Sequence, residues 1–216
     1  MTQIEKVRQQ ARDCVKKISQ AVNAAPWDDL DFYSNYIAQT YFYVCNITRA
    51  IAFAASRCSL EEEALHVKLI EGLNEEKGHQ LLALSDVRAL GFDISQFAEL
   101  TETSAYYQTL FYKIQKEGPF ALFGYALPLE GLAATAFERP AATVYKTYGE
   151  KASNFIKAHC TLDVEHFEEG LQFLDKFTPA QLQTVERNLP FSSDIYIKMV
   201  EQVRARCGAQ KLRKAG

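Results

Sequence analysis

The sequence predicts an all-α protein. Apolar residues recur at three- and four-residue intervals along nearly the whole chain. Helix-capping signals punctuate those stretches, and no alternating apolar–polar run is flanked by Asn-Gly or Asp-Gly turns. The 216 residues are enough for one sizeable core, and no repeat or low-complexity linker divides them. The expectation is a single helical domain over residues 1–216.

Residues 2–23 read as an amphipathic helix ended by Pro26. A longer helix over 28–57 is rich in Tyr and Phe on the way to Ala50–Ala55. Ser59 with Glu62 three residues on forms a capping box that opens a helix running to Leu90, where Gly91 supplies the stop. Further helices are predicted near 101–117, 119–137, 141–147 and 150–177. Thr178-Pro179, with Gln181 at the third position, caps a helix near 179–188, and a last one occupies about 192–207. The stretch 119–137 is apolar enough to suggest a membrane span, but Glu130 near its middle and Pro128 favour a core helix.

The net charge of −3 argues against general nucleic-acid binding, and the basic residues near both ends read as solvated. Five scattered cysteines without CxxC spacing fit a reducing cytoplasm better than a disulfide framework or a zinc ribbon. The opening MTQIEKVRQQ has no apolar signal core, so the protein is expected in the cytoplasm, where the sequon at Asn46 is idle.

The chemistry concentrates in a few polar residues on apolar faces. At helical spacing Asp163 sits roughly 40° from His159, and His166 roughly 20° on its other side. That face also carries Phe155, Ile156, Leu162, Phe173, Leu174 and Phe177, so it points inward. A buried unpaired carboxylate is costly, and two imidazoles beside it call for a cation. On the helix expected over 60–90, Glu76 and His79 share a stripe with Leu65, Leu69, Gly72, Ala83, Val87 and Leu90. Glu75 lies nearer its edge. Inward-facing Glu-x-x-His pairs are what di-iron carboxylate bundles use. Glu130, the only charge between Gly118 and Phe137, lies on a face with Phe123, Ala126, Leu127, Ala133 and Phe137.

Each element has a plainer reading. Glu63-Ala-Leu-His66 repeats the Glu-x-x-His spacing, yet His66 lies roughly 140° from His79 and reads as an ordinary, partly exposed histidine. Glu130 alone could be a buried acid bonded to a tyrosine hydroxyl. Together, Glu76, Glu130 and Asp163 with His79, His159 and His166 make six nitrogen and oxygen donors without thiolate, a set suited to iron or manganese. One metal could take Glu76/His79 and another His159/His166, with a carboxylate bridging; spacing leaves the division open.

The pattern His159-x-x-x-Asp163-x-x-His166, with Glu130 upstream and Glu76/His79 earlier, resembles the haem-oxygenase-like di-iron oxidases, the UndA/CADD-like iron-containing redox enzymes related to TenA and PqqC. The run NEEKGHQLLALSDVRALG is similar to segments of the same superfamily, and the resemblance spans roughly residues 25–205. Many members carry a glutamate seven residues before the first histidine, where this chain has Gly72; the variant with glutamate three residues before matches Glu76, with Glu75 or Glu71 next in line. The resemblance implies an up-down helical bundle around a pocket that holds two Fe ions (or mixed Fe/Mn), with O2 as co-substrate. It also implies oxidation of a small carboxylate or amine, a homodimer, and Tyr41 and Tyr43 as candidates for the pocket wall. Neither nucleic acid nor membrane is an expected partner. The competing readings are a TenA/PqqC-like metal-independent enzyme and a non-catalytic helical interaction protein. A haem oxygenase proper is disfavoured because no histidine precedes His66.

Overall fold

Thr2 opens α1 (Gln3–Asn23) with a reciprocal cap: its hydroxyl accepts from the Glu5 N–H, and the Glu5 carboxylate accepts from the Thr2 N–H. The structure, a computed structural model, describes residues 1–214, without the side chains of 161–165 and 208–214. α2 (Leu30–Ser56) follows, capped by Asp29. Ser59 and Glu62 form their capping box on a short 3₁₀ turn that leads into α3 (Glu63–Glu75) and α4 (His79–Ala89). Then come α5 (Thr101–Glu117), α6 (Ala121–Ala136), α7 (Glu138–Tyr148), α8 (Asn154–Phe173) and α9 (Pro179–Lys214). The chain is 85% helical, and no strand occurs among the described residues.

α6 is the centre of the arrangement. Its residues are apolar around most of its circumference, which is the signature of a helix with neighbours on several sides. It packs against α1, α8 and α9, while α2 packs against α3, α4 and α5. Two glycines allow the close approach. A Cβ on Gly131 would lie 2.4 Å from Val15 and 3.0 Å from Phe167, and one on Gly124 would lie 2.4 Å from the Asn188 Cβ and 2.9 Å from its backbone carbon. At 16 residues α6 ends well short of a bilayer's thickness, and among the described residues no helix is long and apolar enough to cross a membrane.

Two boundaries differ from the sequence reading. The helix expected over 60–90 is broken after Glu75, because Gly78 takes the left-handed conformation (φ 96°) and starts α4 on a new axis. The two helices expected near 179–188 and 192–207 are one, α9, with Pro190 inside it. Pro190 removes one helical hydrogen bond, but packing of α9 against α1, α5 and α6 holds the helix through that point. The cap read at its start is present: the Thr178 N–H donates to Gln181 Oε1, and the Gln181 N–H donates back to the Thr178 hydroxyl.

Candidate metal centre

The break between α3 and α4 builds the first part of the site. Glu76 ends α3, Lys77-Gly78 makes the turn, and His79 is the first residue of α4, its N–H 3.3 Å from the Glu76 carbonyl. The pair therefore meets across a tight turn and not along one helical face. His79 Nδ1 lies 3.1 Å from Glu76 Oε2, yet this buried nitrogen has no hydrogen bond of acceptable geometry. Two donor atoms close together but not aimed at each other are what a shared cation would satisfy.

α8 brings the second histidine. His159 Nδ1 sits 2.7 Å from the Phe155 carbonyl oxygen, which can only accept, so Nδ1 carries the proton and Nε2 keeps its lone pair. The His159 ring stands edge-on to His79 with centroids 4.8 Å apart. One ligand atom from each of Glu76, His79 and His159 lies within 4.8 Å of the others.

A second group adjoins the first. His166, about two turns further along α8, has Nδ1 3.7 Å from Glu130 Oε2 of α6 and Nε2 4.0 Å from Glu75 Oε2 of α3. Burial pushes the Glu130 carboxyl above its usual range; His166 opposes the shift, and the nearby Glu76 and Glu75 charges add to it. Glu76 holds His79 above its ordinary value, while burial lowers His159. Asp163 falls outside the described side chains.

The position of α8 is set by a carboxylate that the sequence reading passed over. Asp86 of α4 is fully buried and accepts from the Asn154 N–H (3.0 Å), the Asn154 side-chain amide (2.9 Å) and the Phe155 N–H (2.9 Å). It thus caps the first turn of the helix whose Phe155 carbonyl orients His159. A signal was present, since Asp86 lies seven residues after His79 and so on the same helical stripe.

Glu75, Glu76, Glu130, His159 and His166 border a cavity of about 170 Å³ whose wall is mainly apolar, from Val44, Ile47 and Ile51 of α2 to Leu122, Leu129 and Ala133 of α6. Tyr43 lines this cavity together with Tyr125 and Tyr196. Tyr41 is not among the lining residues; its ring lies against Phe42 and its hydroxyl reaches toward Cys45. His66 lies apart, its Nδ1 3.0 Å from the Ala55 carbonyl. No cysteine lines the cavity among the described residues.

The family model described as "iron-containing redox enzyme" matches residues 34–187, a span that includes every candidate ligand above. The chain belongs to the iron-containing redox enzyme family. Among solved structures, a domain of unknown function with a heme oxygenase-like fold from Shewanella denitrificans OS217 superposes with a TM-score of 0.83 at 18% identity, covering 98% of this chain and 96% of that one. A TenA homologue from Pseudomonas syringae pv. tomato follows at 0.72 and 13% identity (90% and 91% covered). Another from P. horikoshii OT3 gives 0.71 and 16% (95% and 99%). At such identities the likeness shows the haem-oxygenase-like fold. No protein of curated function matches the chain by sequence.

The donors of this iron-containing redox enzyme family member fit iron. Glu76, His79 and His159 make the two-histidine, one-carboxylate composition of non-haem iron sites, and the buried His79 Nδ1 lacks a hydrogen-bond partner that an ion would replace.

Proposed function

We propose that the protein is a non-haem di-iron oxidoreductase that uses O2 to oxidise a small, largely apolar organic molecule carrying a carboxylate or amine. The observation behind this reading is the pairing of two donor groups, Glu76/His79/His159 and Glu130/His166 with Glu75 beside it, at the edge of one apolar cavity. Glu76, His79 and His159 would hold one iron, and Glu130 and His166 the other, with Asp163 completing the set by its spacing. Bound iron would supply a site for dioxygen and the redox couple that activates it.

The chain's own groups prepare that site. The Phe155 carbonyl fixes the His159 tautomer so that Nε2 keeps a lone pair free for a metal. The mainly apolar wall favours an apolar substrate body. Its size is close to that of an apolar cavity that accepts a single benzene ring, which points to a small substrate.

The test is metal analysis after anaerobic Fe(II) loading, followed by O2 uptake. About two irons per chain are expected, as in two-metal sites. His159→Ala and His166→Ala should each lower the iron content, and unchanged content in both would remove the basis of the reading. A TenA-like metal-independent reaction would instead persist in a strong chelator. Such chemistry calls for an activated nucleophile, and the lack of a cysteine among the described lining residues counts against it.

A further inference from the structure

Two aromatic clusters flank the cavity, and they differ in kind. On one side Phe120, Phe123, Phe173 and Phe177 pack edge to face and stacked, all of them phenylalanine. On the other the rings are tyrosines. Tyr125 stacks on Tyr106 with centroids 4.4 Å apart, and Tyr106 lies 5.7 Å from Tyr196. The Tyr196 hydroxyl is 2.7 Å from that of Tyr36, and the Tyr36 ring is 4.8 Å from Trp27. All four tyrosines are at most 2% exposed.

Packing does not call for these hydroxyls. Phenylalanine would fill the same volume without the cost of drying a phenol, as it does in the opposite cluster. Substrate binding accounts for Tyr125 and Tyr196, which line the cavity, but not for Tyr106, Tyr36 and Trp27, which do not. What tyrosine and tryptophan share, and phenylalanine lacks, is ready one-electron oxidation.

We propose that Tyr125, Tyr106, Tyr196, Tyr36 and Trp27 form a one-electron relay between the metal centre and the surface at the loop joining α1 and α2. The relay rests on the iron reading above. Its inner end shares the cavity with Glu76, and its outer end, Trp27, is 5% exposed and lies just beneath the surface, between the exposed residues Pro26 and Asp28. When the centre has been oxidised by O2 and no substrate is bound, an electron passes inward ring by ring, and a one-electron donor in solution, such as a thiolate or ascorbate, refills Trp27 and becomes its own radical. In net balance the centre gains one electron and one proton, the donor loses the electron, solvent supplies the proton, and every tyrosine ends as a neutral phenol. The Tyr36–Tyr196 hydrogen bond lets a proton shift with the electron at that step. Trp27 can give an electron while its indole N–H stays on the Val22 carbonyl at 2.8 Å.

The experiment loads the full chain with Fe(II) anaerobically, measures its iron, and mixes it with O2 in the absence of substrate and reductant. Freeze-quenched electron paramagnetic resonance and peptide mapping are the readouts. The wild-type protein should show an organic radical of tyrosyl or tryptophanyl character, with oxygenated Trp27 among its products. Tyr36→Phe should keep the iron and a tyrosyl signal but lose Trp27 oxidation at least several-fold. Trp27→Phe should keep the radical on tyrosine and lengthen its life. Iron-loaded, O2-consuming protein without an organic radical overturns the relay alone, as does Trp27 oxidation undiminished in Tyr36→Phe. Failure to take up iron overturns both the relay and the function on which it rests.

Discussion

The carboxylate of Asp86 binds the backbone and side-chain amides of Asn154, tying the helix that begins with His79 to the helix that carries His159 and His166. With its third bond, to the Phe155 N–H, it fixes one residue whose carbonyl in turn holds the His159 ring. Second-sphere contacts of this type orient metal-binding histidines. Asp86→Ala leaves buried donors at the start of α8 without acceptors and should destabilise the protein by about 1–3 kcal/mol. It should also weaken iron binding, measured by chelator competition, although Asp86 is not among the candidate ligands. Unchanged iron affinity in a folded variant would show that α8 is positioned by other contacts.

Asp86 also predicts a pH dependence. Burial raises its carboxyl from 3.8 to about 6, against the pull of the Phe155 and Asn154 hydrogen bonds. Between those values the folded chain holds a proton that the unfolded chain has released. Its contribution to stability is therefore fully present below 3.8 and declines as pH rises through about 6, by about 3 kcal/mol. Subtracting the stability profile of Asp86→Asn from that of the wild type, in denaturant titrations across this window, isolates the effect. A flat difference would refute it.

Glu130 should trade stability against metal binding. Its carboxylate is disfavoured by burial and by the charges of Glu76 and Glu75. Replacing it with Gln removes that charge, so metal-free Glu130→Gln should melt at or above the wild-type temperature while its iron content falls. A lower melting temperature of the metal-free variant would indicate that Glu130 is stabilising in its own right.

His66→Ala serves as the matched control. The Glu63–His66 spacing is that of Glu76–His79, but His66 faces the Ala55 carbonyl, away from the cavity. Iron content should not change, and a drop would mean the site includes α3 more widely.

The two glycines of α6 should differ in tolerance. Gly131→Ala meets a valine methyl and a phenylalanine ring, whereas Gly124→Ala meets the backbone of Asn188, which cannot rotate aside. Overpacking of this type costs about 1–3 kcal/mol, with Gly124→Ala at the upper end or beyond. In a chain of this length each kcal/mol lowers the melting temperature by about 2–4 °C, so calorimetry can rank the two.

Helix existence and most ends were legible because they depend on neighbours in sequence: the Thr178–Gln181 cap, the stop at Gly91 and the inward stripe of α8 are all local signals. The break at Gly78 was not, since a three-residue spacing between Glu76 and His79 suits a helical turn and a tight turn alike. The continuity of α9, expected as two helices near 179–188 and 192–207, was not legible either, because packing on three neighbouring helices outweighs the hydrogen bond lost at Pro190.

The chain by itself determined an all-helical protein with carboxylates and imidazoles set on apolar faces, because periodicity and capping act within a few residues. Only the tertiary structure decided that Glu76 turns to His79 and His159 while Glu75 turns to His166. It also decided that Tyr43 borders the cavity and Tyr41 does not. Those assignments depend on how one helix is rotated against another, and that rotation is set by contacts between residues far apart in sequence, such as Asp86 with Asn154 and Gly124 with Asn188.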